Sequence, residues 1–443
     1  MVAAARMSTA DRAARGLLLQ LLRRVQDGRF VIVDADGEHV TGPQGGLAVR
    51  IDVHSPAVYR AVAGGSRGLA RTYADGLWDT DDLVAMVRIA ARAMDHVDPW
   101  RARIASATLP LQRASTAFRN TRARSRDNIE RHYDLGNDFF FLVLDETMGY
   151  SCAYYERPDM APLEASRANL DRVCRLLDLR PGERLLELGS GWGPLALHAA
   201  EHFGCHVSTV TISPAQREYI DKLARQRGVA SLVEVIVQDY RDVRGSWDKV
   251  ASLEMVESIG AAHLGTFAAQ VGRLMRPEGL ALIQAITTSD RLFRIERYNR
   301  TFINEYIFPG GHTPSVEAIL DAFGRSTDMR TVAVHDITAH YPPTLRAWRS
   351  RLQENWPRIQ ALGRFDERFR RLWTLYFSWC EASFLERRVQ DRQILLAGRN
   401  WRDEDRLLGV SVAGVVEPHR TAHVENGQGL PLPDANQEMQ PAQ

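Results

Sequence analysis

The stretch LLELGSGWGPLALHAA at residues 185–200 decides the fold. Its first half is an apolar run typical of a buried strand, and its second half has the composition of a helix. Between them, Gly189, Gly191 and Gly193 form a G-x-G-x-G turn. Glycine lets a backbone approach a ligand closely, and the start of a helix offers free N–H groups. Alone, the turn leaves open a dinucleotide site, another ligand site and a purely structural turn.

Strands and helices are predicted to alternate after this turn. The further apolar runs are VSTVTIS (207–213), VEVIVQD (233–239), VASLEM (250–255) and LALIQAI (280–286). This rhythm predicts an α/β fold with a doubly wound, mainly parallel sheet. Residues 345–403, rich in Trp, Phe and Arg, are expected to form a long helical region.

The residues before the sheet predict a smaller α+β domain. Its expected elements are an amphipathic helix at 9–27, short strands at 30–33 and 47–53, and further helices over 56–95. The chain is therefore expected to divide into an α+β domain at 1–100, an Arg-rich linker at 101–127, an α/β domain at 128–415 and a disordered tail at 416–443.

Composition excludes several classes of protein. The 443 residues are 45% hydrophobic and 25% charged with a net charge of +1, which is typical of a soluble globular chain and gives no nucleic-acid signature. No apolar run reaches the ~18 residues of a membrane span, and no secretory signal is recognised. The four cysteines form no CxxC pair. We therefore expect a cytoplasmic protein without disulfides or a metal site.

The Arg-rich segment at 101–126 carries seven arginines and no acid. Three interpretations stay open for it. It is a solvated linker, a patch that contacts anionic phospholipid headgroups, where each basic residue contributes on the order of 1 kcal/mol, or a segment that contacts nucleic acid.

S-adenosylmethionine is the ligand predicted for the glycine turn. The G-x-G-x-G spacing is tighter than the dinucleotide fingerprint, and no acid closes the second strand to bind a ribose. Instead, that strand leads into TISPAQ (211–216), and the third strand leads into QDY (238–240). Both segments follow the carboxyl ends of strands, where ligands of this architecture bind. The candidate ligand-binding residues are therefore Thr211, Gln216, Asp239 and Tyr240.

The chain resembles the family of cyclopropane-fatty-acyl-phospholipid synthases and mycolic-acid methyltransferases. The resemblance rests, besides the glycine turn, on HYDLGNDFF (132–140), YSCAYYE (150–156), SLEMVESIG (252–260), FINEYIFPGG (302–311) and HYPPTLRAW (340–348). The segment ADGLWDTDDL (74–83) resembles the extra domain of the phospholipid-acting members. The resemblance implies a Rossmann-like class I methyltransferase. It also implies a substrate, an unsaturated acyl chain of a membrane phospholipid, which the enzyme reaches from the cytoplasm as a peripheral protein.

The resemblance also implies site residues. Tyr133, Tyr150 and Ser151 join the glycine loop in binding the cofactor. A bicarbonate ion acts as the base in the family, and its ligands correspond to Cys152, Glu257, Gln284, Ile286 (through its backbone) and Tyr341. A homo-oligomer and a partner reductase are further expectations.

Three positions depart from the family pattern. Glu146 stands where proline is usual, and Gln284 and Ser258 each replace a histidine. A buried bicarbonate beside Glu257 would pair two acids, which do not easily stay doubly ionised. One hypothesis is therefore that Glu146 replaces the ion and acts as the base. The other is that Glu146 points to solvent.

The same departures bear on the product. They favour a methylene-branched chain (10-methylene stearoyl-like, from an oleoyl-like chain) on the way to 10-methyl fatty acids. The alternative product is a cyclopropane ring. A non-catalytic lipid- or cofactor-binding protein is a minor alternative.

Overall fold

The computed structural model describes residues 7–95, 98, 136–296 and 301–402. The expected linker (101–127), the expected tail (416–443) and Tyr133 lie outside the described residues, so the interpretations given for them remain predictions. Among the described residues, no helix is long and apolar enough to cross a membrane.

The N-terminal part of the chain, residues 7–95, forms a four-stranded sheet with helices. Ser8 caps the first helix, because its hydroxyl accepts the Asp11 N–H and the Asp11 carboxylate accepts the Ser8 N–H in return. The sheet has the order β2-β1-β3-β4. The elements are α1 (Thr9–Leu22), β1 (Arg29–Asp34), β2 (Gly37–Thr41), β3 (Ala48–Val53), α2 (Ala57–Ala61), α3 (Ser66–Ala74), β4 (Trp78–Thr80) and α4 (Leu83–Asp95). The sequence predicted β1 and β3 but not β2 and β4.

The second sheet has seven strands in the order β10-β11-β9-β8-β5-β6-β7. Its strands are β5 (Arg184–Leu188), β6 (His206–Thr211), β7 (Val233–Val237), β8 (Trp247–Leu253), β9 (Met275–Thr288), β10 (Arg330–Asp336) and β11 (Val389–Ala397). Every neighbouring pair from β9 to β7 is parallel, whereas β11 pairs antiparallel with both β9 and β10. The predicted doubly wound, mainly parallel sheet is confirmed.

Helices connect and cover these strands. They are α5 (Gly136–Val143), α6 (Pro162–Leu176), α7 (Pro194–Phe203), α8 (Pro214–Gln226), α9 (Val256–Ile259), α10 (Leu264–Leu274), α11 (Asp290–Glu296), α12 (Val316–Ser326), α13 (Tyr341–Glu354), α14 (Trp356–Gln360) and α15 (Glu367–Leu385). Residues Ile303–Ile307 form a π-helical turn.

The expectation of a helical region at 345–403 is wrong in its last part. Helices α13 to α15 end at Leu385, and Val389–Ala397 forms strand β11 in the interior of the sheet. Residues 393–397 are all buried, because both faces of this strand are covered. The buried second half of this strand has no polar alternation, and periodicity alone does not separate such a run from a buried helix.

Helix α15 packs against α3 and α4, and the two sheets belong to one compact unit. The Arg371 guanidinium donates to the backbone carbonyls of Tyr73 (2.6 Å) and Trp78 (2.8 Å), and it stacks 4.1 Å from the Tyr73 ring centre. At the other end of the helix, Glu386 accepts hydrogen bonds from Arg88 and Arg92 of α4. One apolar core runs from the small sheet into these helices. This packing holds α3 and α4 beside the carboxyl end of the large sheet.

Candidate active site

A cavity of about 1900 Å³ lies at the carboxyl ends of β5, β6 and β8. This is the edge at which ligands of open α/β sheets bind. The N-terminal helices form part of its wall, through Ser66 of α3 and through Val87 and Ala90 of α4. The cavity exceeds the roughly 300–1,000 Å³ of common small-molecule sites, so it has room for a cofactor together with a second large ligand.

The glycine loop after β5 lies at one end of this cavity. Gly189, Gly191 and Gly193 all have positive φ, at 93°, 50° and 83°. A Cβ atom at Gly191 would meet nothing within 4 Å, so the space above this residue is open. A Cβ atom at Gly193 would lie 2.8 Å from the Ile220 side chain, and Gly193 is not among the residues that line the cavity. Gly191 therefore leaves room for a ligand, whereas Gly193 permits close helix packing.

The four polar residues predicted for the same ligand all line the cavity. Thr211 donates its hydroxyl hydrogen to the side-chain oxygen of Gln216 at 2.6 Å, while the buried amide nitrogen of Gln216 has no partner. Asp239 accepts two hydrogen bonds from the Arg241 guanidinium. Burial raises the pKa of Tyr240 to about 12. An open glycine cradle and an unpaired buried donor fit the predicted nucleoside cofactor.

A half-buried carboxylate, Glu254, lies at the centre of the other predicted residues. Its Oε1 accepts hydrogen bonds from Ser151 Oγ (2.7 Å), the Cys152 backbone N–H (2.9 Å) and Gln284 Nε2 (2.9 Å). Its Oε2 accepts the phenolic hydrogen of Tyr341 at 2.5 Å. The residue is half-buried and lines the cavity. The structure therefore gathers Ser151, Cys152, Gln284 and Tyr341 around one carboxylate.

Gln284 on β9 is fully buried and connects this carboxylate to a second one. Its amide nitrogen also contacts Asp391 Oδ2 of β11 at 3.2 Å. Its amide oxygen accepts hydrogen bonds from Asn169 Nδ2 (3.3 Å) and Gln393 Nε2 (3.0 Å), which fixes the orientation of the amide. Gln284 does not line the cavity, and its amide group links the Glu254 carboxylate by hydrogen bonds to polar side chains of α6 and β11.

Glu257 on α9 is the third acid of this region. One carboxylate oxygen accepts the Ile286 backbone N–H, and the other oxygen has no partner. Burial, with the nearby Glu254 charge as a second cause, raises the pKa of Glu257 to about 8. His312 donates its backbone N–H to the Glu257 carbonyl at 2.9 Å. In the described part of the chain, no group of three His, Cys, Asp or Glu side chains is arranged to hold a metal ion.

Aromatic rings form part of the wall near these acids. The Tyr150 and Tyr376 hydroxyls are 3.0 Å apart, and the Tyr150 ring stacks with Phe308 at 6.1 Å between ring centres. The Tyr341 ring stacks on Phe384 at 4.2 Å. All five side chains line the cavity. Such faces attract cations, so this wall suits a substrate that becomes positively charged.

Glu146 is the predicted residue that the structure does not bring to this site. Its side chain is exposed and it does not line the cavity, although its neighbours Thr147 and Met148 do. The side chain that points inward is that of the preceding residue, Asp145. It is buried and accepts hydrogen bonds from the Thr147 N–H and from the Ser166 hydroxyl. Besides Glu257, the carboxylate that lies among the predicted base-site residues is that of Glu254, which the sequence analysis did not single out.

Comparison with known proteins places the chain among lipid-modifying enzymes. The family model "Mycolic acid cyclopropane synthetase" matches residues 120–394. The chain is 36% identical over 386 residues to tuberculostearic acid methyltransferase UfaA1 of Mycobacterium tuberculosis, covering 84% of this chain and 88% of the relative. It is 34% identical over 363 residues to the cyclopropane-fatty-acyl-phospholipid synthase of Escherichia coli, covering 80% and 89%.

Solved structures agree with this assignment. The cyclopropane synthase MmaA2 of Mycobacterium tuberculosis superposes with a TM-score of 0.57 at 28% identity, covering 61% of this chain and 97% of that one. The mycolic acid cyclopropane synthase CmaA1, complexed with SAH and CTAB, gives the same values. With the glycine loop, the buried acids and the aromatic wall joined in one cavity, and with these matches over most of its length, the chain belongs to the mycolic acid cyclopropane synthetase family.

Proposed function

We propose that this protein is an S-adenosylmethionine-dependent C-methyltransferase that methylates the double bond of an unsaturated acyl chain in a membrane phospholipid. The observation that carries the proposal is the single cavity that joins an open glycine cradle to an aromatic wall and to buried carboxylates. A methyl transfer to an alkene needs all three. It needs a cofactor site, a dry apolar space that stabilises a cation, and a base.

The cofactor site is assigned to the Gly189–Gly193 loop with Thr211, Gln216, Asp239 and Tyr240, and to Tyr150 and Ser151 beside it. When bound, S-adenosylmethionine supplies an electrophilic methyl group. The residues of this chain bind and orient it, and the aromatic rings exclude water from the reacting centre. Support for this cofactor comes from the related CmaA1 structure, whose complex contains SAH.

The substrate class rests on the relatives and on the size of the cavity. The relative from Escherichia coli is named for fatty-acyl phospholipids, and the chain covers 89% of its length. The N-terminal domain, which lies largely outside the matched family model, forms part of the cavity wall. We therefore propose that α3 and α4 contact the part of the lipid that extends beyond the reacting double bond.

For the product, we propose a methylene branch, with the cyclopropane ring as the alternative. Gln284 in place of histidine and the added Glu254 carboxylate change the residues of the base site, and the relative UfaA1 is named as a methyltransferase rather than a ring-forming synthase. We further propose that the enzyme works at an anionic membrane surface from the cytoplasm, as a homo-oligomer, and supplies a reductase with its product.

Expression in a host that contains oleate tests this function. We expect methylated fatty acids in the phospholipid fraction, carrying an exocyclic methylene group. A ring and a methylene branch have equal mass, so mass spectrometry detects the added carbon and olefinic proton NMR identifies the product. Cyclopropane signals alone would establish the alternative product. The absence of methyl transfer from labelled cofactor to lipid would refute the proposed activity.

Replacing Ala90 with tryptophan tests the role of the N-terminal domain. Ala90 is exposed and lines the cavity from α4, so a large ring there would narrow the space for lipid. We expect the KM for vesicles containing oleoyl phospholipid to rise roughly tenfold, equivalent to ~1.4 kcal/mol. Calorimetric affinity for S-adenosylmethionine should not change. The control is Ala230→Trp, at an exposed alanine that does not line the cavity, and an equal KM change in both variants would contradict the assignment.

A further inference from the structure

Glu254 occupies a backbone position that favours glycine. It directly follows β8 with φ of +50°, in the left-handed region that non-glycine residues adopt only with backbone strain. Its backbone N–H is held by the Gln284 carbonyl at 2.8 Å. This geometry aims the side chain at the cavity and at four hydrogen-bond donors. A glutamate at such a position indicates that the carboxylate has a role that offsets the strain.

The hydrogen bonds show which acid of this region holds the negative charge. Glu254 accepts four hydrogen bonds, whereas one oxygen of Glu257 and one oxygen of Asp391 have no partner. Burial raises the pKa of Glu254, and the four hydrogen bonds partly oppose that rise. Burial and the Glu254 charge raise the pKa of both Glu257 and Asp391. A single charge in this cluster is therefore most stable on Glu254.

Other titratable groups at the cavity are poorer proton acceptors. Burial raises the pKa of the Cys152 thiol and of the Tyr341 phenol well above their usual values, so both stay protonated. Burial lowers the pKa of His312 to about 4, which makes its imidazole a weak base. Glu146, exposed outside the cavity, does not face this space.

We propose that the Glu254 carboxylate is the general base of the proposed methyl transfer, built into the chain at the place that a free anion would otherwise occupy. The inference rests on the proposed function and names its proton acceptor. Once the double bond has accepted a methyl group, the neighbouring carbon of the acyl chain is a cation. For the methylene product, the hydrogen on the methylated carbon first shifts with its electron pair to the cationic neighbour, which moves the positive charge to the methylated carbon. A C–H bond of the new methyl group then breaks and its electron pair forms the exocyclic C=C bond; without the shift, the same electron pair forms the ring C–C bond. In both cases the proton moves to a Glu254 oxygen. Water takes this proton after the product has left.

The test uses the purified full chain and vesicles of dioleoyl phosphatidylglycerol. Glu254→Gln keeps the shape of the side chain, and its amide can accept from the same donors while its NH₂ faces the Tyr341 oxygen. We expect the rate of methyl transfer to fall by about 10²–10⁴-fold, as for removal of a general base. Thermal unfolding and calorimetric affinity for S-adenosylhomocysteine should stay close to wild type. Glu201→Gln, at an exposed acid outside the cavity, is the matched control.

Chemical rescue separates a base from a structural carboxylate. Glu254→Gly suits the positive φ and leaves a space lined by the same donors. We expect calorimetry to show that formate or bicarbonate binds this variant, whereas neither ion binds at this place in the wild type. Either ion should raise the methyl-transfer rate of the variant at least about tenfold. Stripping carbonate from the buffer should leave the wild-type rate unchanged.

Each remaining outcome identifies a different error. A fully active Glu254→Gln variant, or a wild type that stops without carbonate and recovers with it, would overturn the role of Glu254 while leaving the proposed function intact. Loss of activity in Glu146→Gln but not in Glu254→Gln would assign the base to Glu146. A wild-type chain that transfers no methyl group to the lipid would refute both the function and this inference.

Discussion

The Gly191→Val variant is expected to lose its affinity for S-adenosylmethionine by at least ~100-fold. Gly191 has φ of +50°, and a Cβ atom there would extend into open space that the cofactor is proposed to fill. A branched side chain would hold the cofactor away from the backbone N–H groups at the start of α7. Each lost hydrogen bond costs about 1 kcal/mol or more, and two or three account for the expected loss. Calorimetry on the purified variant measures the effect.

A matched glycine separates ligand exclusion from backbone strain. Gly228 also has positive φ, at 73°, and a Cβ atom there would also meet nothing within 4 Å, but it does not line the cavity. Gly228→Val should therefore carry a similar strain and bind the cofactor normally. Normal affinity of a folded Gly191→Val variant for S-adenosylmethionine would show that the cofactor does not bind at this loop. Equal loss in both variants would show that strain, and not the ligand site, causes the effect.

The sequence predicted the strands whose signal is local. The run at 185–190 was interpreted correctly as β5 because an apolar strand is followed by a glycine turn and a helix. Strand β11 gave no such signal. It is buried on both faces, it follows an aromatic helix, and it completes its hydrogen bonds with β9, which lies about a hundred residues earlier in the chain. Pairing over such a distance is a tertiary property that no local pattern carries.

The residues of the site show the same division between signals that are local in the sequence and properties that depend on the tertiary fold. Cys152, Glu257, Gln284, Ile286 and Tyr341 were found through motifs, and the structure gathers them around one end of the cavity. Glu254 was missed because an acid at the end of a strand gives the same pattern whether it faces solvent or a cavity. Its positive φ, which aims the carboxylate inward, is visible only in three dimensions. Asp391 was missed because its segment was expected to be helical.

Replacing Gln284 with leucine is expected to lower the free energy of unfolding by about 3–6 kcal/mol. The side chain is fully buried and has nearly the volume of leucine, so the change removes hydrogen bonds rather than packing. Asp391 would lose its amide donor, and the amide groups of Asn169 and Gln393 would lose a shared acceptor. An unsatisfied buried polar group costs about 1–3 kcal/mol. Urea unfolding followed by circular dichroism measures the change.

The control for this prediction is Gln226→Leu, at an exposed position near the end of α8, which should shift the free energy of unfolding by no more than about 0.5 kcal/mol. A total stability of 5–15 kcal/mol is typical of folded proteins, so the loss at Gln284 could remove a large share of it. The same network holds Glu254, so Gln284→Leu should also lose catalytic rate at temperatures where the protein remains folded. Equal unfolding energies for the two leucine variants would show that Gln284 does not hold the carboxylates in place. The position of Glu254 would then depend on its backbone and on Tyr341, Ser151 and the Cys152 N–H alone.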